Sequence, residues 1–193
     1  MVVTAITFVL ETVFGLFVLA ALVRFWMQAF RAPARNPIAQ FSMALTDFAV
    51  KPLRRVIPGF MRMDWASLVV ALLLEFVLQL LEFTVLAGAL PNGGVLSALL
   101  FLAFVRLARL SIYIFIVVII AQAVMSWVSP YHPAAPFFNA LSDPLLKPVR
   151  RVVPPIGGVD ISPVFILIAL QLVLMLPITW LEQQAGAMVR MAL

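Results

Sequence analysis

Two kinds of residue in this chain have the type and spacing to do chemistry. The first is a pair of adjacent arginines that occurs twice. Lys51, Arg54 and Arg55 form a Lys-Pro-x-Arg-Arg core, and Lys147, Arg150 and Arg151 repeat it. Paired guanidiniums beside apolar residues suit phosphate oxygens, which they meet as charge-assisted hydrogen-bond donors. The second is a row of polar residues inside an apolar stretch: Glu75, Gln79 and Glu82. Spacings of four and three put them on one face of a helix. Glu11, Arg106 and Arg109 lie in other apolar stretches and could join them.

The remaining chemistry is narrow. Cysteine is absent and His132 is the single histidine, so thiolate sites, disulfides and multi-histidine metal sites are excluded. No phosphate loop, nucleophile elbow or zinc helix occurs. His132 could ligate haem or a metal, but it precedes Pro133 as Asn36 precedes Pro37, which favours a helix-start role. No catalytic residues, metal or cofactor are assigned, and the chain reads as a non-enzyme.

The elements that must position these groups are membrane spans. The chain has 193 residues, 65% apolar and 11% charged, with a mean hydropathy of +1.15. Soluble domains carry about a quarter charged residues. A helix crosses a bilayer with about 20 apolar residues, and residues 2–23, 65–90, 110–128 and 163–181 qualify. The first lacks a basic leader and a small-residue cleavage site, so it reads as a retained helix. Residues 95–105 are apolar but short; they either extend the third span or lie at the interface. Pro91, Asn92, Gly93 and Gly94 form the strongest turn and divide the chain into a unit over 1–90 and a unit over 95–193, the second ending in a short tail after its last span.

Ten of the 13 Lys and Arg residues fall in or beside the loops after spans one and three, over 24–62 and 147–151. The positive-inside rule places both loops in the cytoplasm and the termini outside. Arg106, Arg109 and Arg190 run against it. Trp26, Trp65, Trp127 and Trp180 stand near span ends, as an aromatic belt requires.

The two loops are copies. Residues 36–64 match 132–160 without a gap at 13 of 29 positions. Asp47, Lys51, Arg54, Arg55 and Asp64 correspond to Asp143, Lys147, Arg150, Arg151 and Asp160. The fold class is therefore all-α: four transmembrane helices as two parallel tandem repeats, each with an amphipathic cytoplasmic loop. Parallel repeats predict a pseudo-two-fold axis along the membrane normal. Asn36-Pro37 reads as a helix start, after which Ile38, Phe41, Leu45 and Phe48 share one apolar face. Asp47–Lys51 and Asp143–Lys147 pair across one turn. The residue before a proline avoids the helical region, so breaks are expected at Lys51 and Lys147. Asp64 and Ser162-Pro163 read as the caps of the returning spans. From Trp to Asp the first copy is longer, 21 residues (Trp26 to Asp47) against 16 (Trp127 to Asp143).

Lys51-Pro-Leu-Arg-Arg-Val-Ile-Pro58 and the run from Ser142 to Pro163 (SDPLLKPVRRVVPPIGGVDISP) resemble the YggT family, also called YlmG, over nearly the whole chain. The resemblance implies a small integral protein of the bacterial inner membrane. It is linked to osmotic tolerance and envelope or division neighbourhoods, and in plastids to nucleoid distribution and cytochrome b6 assembly. The family has no established enzyme activity. The first copy departs from the pattern, with Phe48 where a proline follows Asp143, so its loop is expected to be the less tightly folded.

Three functions follow from these residues. The first is a scaffold or assembly factor whose loops bind anionic lipid headgroups and other membrane proteins, a second copy of the chain included. The alternative is an ion or proton transporter or channel component using Glu75 and its neighbours, against which stand spans interrupted only by Pro177, near a span end. A membrane enzyme ranks last. Two short arginine pairs make too small a footprint for direct nucleic-acid binding. Glu82 is expected to pair with Arg106 or Arg109; Glu75 has no evident partner.

Overall fold

A computed structural model describes residues 1–59, 63–129, 131–153 and 160–192. Arg62 and residues 154–159 of the second motif lie outside them. The described residues are dominated by helices: α1 (Val2–Ala29), α2 (Pro37–Leu53), α3 (Trp65–Ala87), α4 (Gly93–Val128), α5 (Ala135–Arg150), α6 (Ser162–Val173) and α7 (Thr179–Ala192). A five-residue π-helical turn, Leu174–Ile178, joins the last two into one stretch of 31 residues. Four helical stretches, Val2–Ala29, Trp65–Ala87, Gly93–Val128 and Ser162–Ala192, are long and apolar enough to cross a membrane.

Local chemistry explains the boundaries. Gly88, at φ 65°, closes α3 in the left-handed conformation that glycine adopts without steric cost. Asn92 opens α4 by accepting the Val95 N–H at 2.9 Å. Residues 95–105 are thus an extension of the third span. Asn36 opens α2 by accepting the Ala39 N–H at 2.9 Å, with Pro37 in the first turn.

The breaks expected at Lys51 and Lys147 do not occur. Pro52 and Pro148 sit inside α2 and α5, which end at Leu53 and Arg150. A proline's missing N–H costs one hydrogen bond. Here it falls in the last turn, where the ladder still closes through Arg54 N–H to Val50 O at 2.9 Å. The segment after Leu181, expected to be a short tail, is helical through Ala192. Pro177 therefore stands near the middle of the last helical stretch.

Helices α1 and α4 run parallel. Glu11 and Arg106 line one cleft, while further along both helices Trp26 meets Ser111 and Phe115. Because α2 follows α1 and α5 follows α4, both connecting helices lie at the same end. The core between the two halves holds Leu22, Val118, Phe137 and Leu141.

Candidate functional site

Charged side chains gather in two places: the end that carries α2 and α5, and a cleft inside the bundle.

At the loop end, Arg24 is the hub of the first copy. It is only 6% exposed. Its Nη1 donates to Asp47 Oδ1 at 2.8 Å and to Thr46 Oγ1 at 2.9 Å, and its Nε lies 3.6 Å from Asp64 Oδ2. One α1 side chain thereby fixes both α2 and the start of α3. Arg54 donates to both oxygens of Asp64, its Nε at 3.1 Å from Oδ1 and its Nη2 to Oδ2. Ser67 Oγ donates to the same carboxylate at 2.5 Å. Asp64 stands at the N-cap position of α3, but its carboxylate serves Arg54 and Ser67 and caps no backbone N–H of the first turn. Lys51 pairs with Asp47 at 2.7 Å.

The second copy keeps half of this. Arg150 Nε donates to Asp160 Oδ2 at 2.8 Å, and Lys147 pairs with Asp143 at 2.8 Å. Arg150 reaches Asp143 only at 3.7 Å. Aligned on the tryptophans, Met125 stands where Arg24 does, so the hub is missing. Against expectation, then, the first loop carries the additional brace. Asp160 accepts the Ser162 N–H at 2.9 Å, while Ser162 and Pro163, expected as the cap, are the first residues of α6 itself and Ile161 is its N-cap. His132 Nδ1 accepts the Ala134 N–H at 3.1 Å in the turn before α5, whose N-cap is Ala134, so His132 does not open its helix as Asn36 does.

These contacts set the carboxylates' acidity. Hydrogen bonds from Lys51 and then Arg24 hold Asp47 below the ordinary aspartate range. Burial pushes Asp64 up, but hydrogen bonds from Arg54 and Ser67 and the charges of Arg54 and Arg24 outweigh it. Asp160 is likewise raised by burial and lowered further by Ser162 and Arg150.

Each arginine pair is divided. Arg54 and Arg150 engage aspartates, whereas Arg55 and Arg151 are exposed and make no ion pair among the described residues. Val56 and Val152 beside them are 77% and 81% exposed. Ile38, Phe41 and Phe48 do share the outer side of α2, while Ala39, Ser42, Thr46 and Val50 face the core.

The second cluster adjoins a cleft of about 540 Å³ among α1, α3, α4 and α7, lined by Glu11, Glu75, Arg106, Arg109 and Glu182. Glu75, Gln79 and Glu82 are all buried. Arg106 Nη1 lies 3.4 Å from Glu82 Oε2 and 3.8 Å from Glu75 Oε1, so one guanidinium serves both. Gln79 Nε2 donates to Glu75 Oε1 at 3.0 Å. Glu75 thus has the partner that sequence reasoning did not find. Arg109 pairs with Glu182 of α7, a residue sequence reasoning passed over as tail. The available signal was the run Glu182, Gly186, Arg190, spaced by four on one helical face. No group of three metal-ligating side chains occurs among the described residues.

Four apolar helices with charges gathered between them define a multi-pass helical membrane protein. The CCB3/YggT family model matches residues 3–86 and 101–181, and the chain belongs to that family. It is 36% identical over 185 residues to an uncharacterized Pseudomonas aeruginosa protein, covering 95% of this chain and 93% of that one. It is 36% identical over 169 residues to the uncharacterized protein YggT of Escherichia coli K12, covering 87% and 86%. A Haemophilus influenzae protein is 30% identical over 160 residues, covering 82% and 83%. No solved structure matches.

Proposed function

We propose that this chain is a non-enzymatic scaffold or assembly factor of the bacterial inner membrane. Its connecting helices lie on the cytoplasmic leaflet and present Arg55 and Arg151 to anionic headgroups and to partner membrane proteins. One observation carries this reading. In both copies the first arginine locks onto the aspartate before the next span, and the second projects beside an exposed valine. An unpaired guanidinium next to an apolar side chain suits the boundary between acyl chains and phosphates. Each such charge near an anionic leaflet contributes roughly 1 kcal/mol.

The test uses the full chain in vesicles of mixed phosphatidylglycerol and phosphatidylcholine, with spin-labelled lipids reporting which headgroup the protein retains. Wild type should prefer the anionic lipid, salt should weaken the preference, and R55Q/R151Q should abolish most of it. Equal retention of both lipids would refute the lipid half. For the scaffold half, photo-cross-linking beside Arg55 in native membranes should capture the same membrane protein each time, and R55Q/R151Q should lose it.

The charged cleft favours a second reading, a proton or cation pathway through Glu75. Flux in proteoliposomes that Glu75→Gln abolishes without unfolding the protein would favour transport over scaffolding.

A further inference from the structure

At the loop end, a second cleft of about 460 Å³ opens between the end of α1, the loop after it and α2. Its polar wall is Arg24, Gln28, Arg31 and Arg54, and the rest is methionine and alanine. Among the described residues no carboxylate lines it. Asp47 and Asp64 answer Arg24 and Arg54 from outside the lining. Arg31 is exposed and makes no ion pair among the described residues. The cleft is therefore positive.

Its polar groups are also turned to donate. Arg24 Nη1 gives its two N–H groups to Thr46 and Asp47. Nη2, which makes no hydrogen bond among the described residues, is the end left for a ligand. Gln28 Oε1 accepts from Arg54 Nη2 at 3.2 Å, which leaves the Nε2 amide as its open end. A wall of N–H donors without an acceptor suits an oxyanion, and guanidiniums match phosphate oxygens two at a time.

Arg31 marks the cleft independently. Helix α1 ends in two backbone bonds, Ala32 N–H to Met27 O at 2.8 Å and Arg31 N–H to Gln28 O at 3.3 Å. That pattern puts Arg31 in the left-handed conformation, at φ 55°, where glycine is usual and other residues are strained. The fold needs the turn there, not the arginine. Strain of this kind gathers at binding sites, where the side chain and not the backbone is what is kept. The second copy lacks the set: aligned on the tryptophans, Met125 and Ser129 stand at Arg24 and Gln28.

We propose that this cleft binds one phosphoryl group, as a phospholipid headgroup or as free phosphate, between the guanidiniums of Arg24 and Arg31 and the Gln28 amide. Arg54 positions Gln28. The site is separate from Arg55 and Arg151 and stands without the scaffold reading. A phosphodiester is common to anionic and zwitterionic phospholipids, so occupancy here adds no preference between them.

The test uses the full chain purified in a non-ionic detergent. Mass spectrometry of the intact protein reads phospholipid carried through purification, and calorimetric titration with inorganic phosphate reads the free anion. Wild type should hold one phosphoryl ligand per chain. R31G removes the guanidinium and relieves the left-handed backbone, so it should weaken binding about tenfold or more while the thermal midpoint stays level or rises. R31K should keep part of the binding, and Q28E, which sets a carboxylate among the donors, should abolish it. Phospholipid retained by wild type and lost from R31G identifies a lipid headgroup. Phosphate titrating into wild type that carries no lipid identifies the free anion. Absence of both ligands from wild type would overturn the proposal, as would R31G and Q28E proteins that bind like wild type. Should either variant fail to fold, the other still decides.

Discussion

Trp26 donates its indole N–H to Ser111 Oγ at 3.1 Å, tying the first span of one half to the first span of the other. The ring stacks on Phe30 and meets Phe25 and Phe115 edge-on. An aromatic belt at the interface explains a tryptophan's position but not this bond. Trp26→Phe keeps the packing and removes the donor. The expected loss is about 0.6 kcal/mol, the mean for such bonds between membrane helices. Ser111→Ala should cost a similar amount, and the double variant no more than either. Unfolding followed by circular dichroism checks this; additive losses would mean the two residues act separately.

Arg24 is expected to be the costliest arginine to lose. Arg24→Met installs the residue of the second copy and leaves Asp64, 1% exposed, with Arg54 as its one remaining cation among the described residues. Breaking a buried ion pair on one side costs roughly 3–5 kcal/mol. Arg24→Lys should recover part of it. A thermal midpoint unchanged in Arg24→Met would show that the hub is not structural.

Neighbouring arginines should separate. R54Q should destabilise the fold, because Asp64 loses its two-pronged donor, while leaving the preference for anionic lipid largely in place. R55Q should do the reverse. The same division is expected between R150Q and R151Q. If both members of a pair behave alike in the two assays, the assignment of roles is wrong.

Acid should weaken the loop end first. Asp47, Asp64 and Asp160 are all held below their ordinary value of 3.8. A carboxylate lowered on folding adds stability above its unfolded value. That stability is lost as pH falls through the lower, folded value. Unfolding should therefore become easier below about pH 4, and Asp64→Asn should flatten that dependence while lowering stability at neutral pH. A protein whose stability is flat down to strong acid would contradict this.

Both loops should face the same compartment. Arg55→Cys and Arg151→Cys should react with an impermeant thiol reagent from one side only, the cytoplasmic side under the positive-inside rule. Asn92→Cys should react from the other. Labelling of the two arginine positions from opposite sides would break the parallel arrangement.

The four spans were legible in the sequence because hydropathy depends on residue type whatever the neighbours are. Their lengths were less so. Arg106 and Arg109 interrupt the apolar run before residue 110, and a charged turn reads as a boundary until Glu82 and Glu182 are found opposite it. Likewise α7 is polar enough to read as tail, and only its packing on α4 shows what Glu182 and Arg190 face. The caps at Asn36 and Asn92 involve neighbours in sequence and could be foreseen. Arg24 could not, because its partners lie 23 and 40 positions away. The expected breaks before Pro52 and Pro148 show a local preference yielding to a ladder already formed behind it.

The wide turn at Leu174–Ile178 acts on everything after it as a change of phase. Thr179 Oγ1 donates to Leu174 O, five residues back, at 2.9 Å, and Pro177 supplies no N–H of its own. Such a turn accommodates one residue more than an α-helix would. One residue corresponds to about 100° of helical rotation, since 3.6 residues make a turn. Glu182 therefore owes its bearing toward Arg109 to a surplus residue far below it. A shortened sibling lacking one residue between 174 and 178 would keep the same composition, hydropathy profile and number of spans. Its Glu182 would nevertheless point away from the cleft. Spacing from Pro177 to Glu182, more than overall likeness, is then the feature by which to judge whether a related chain assembles the same cleft.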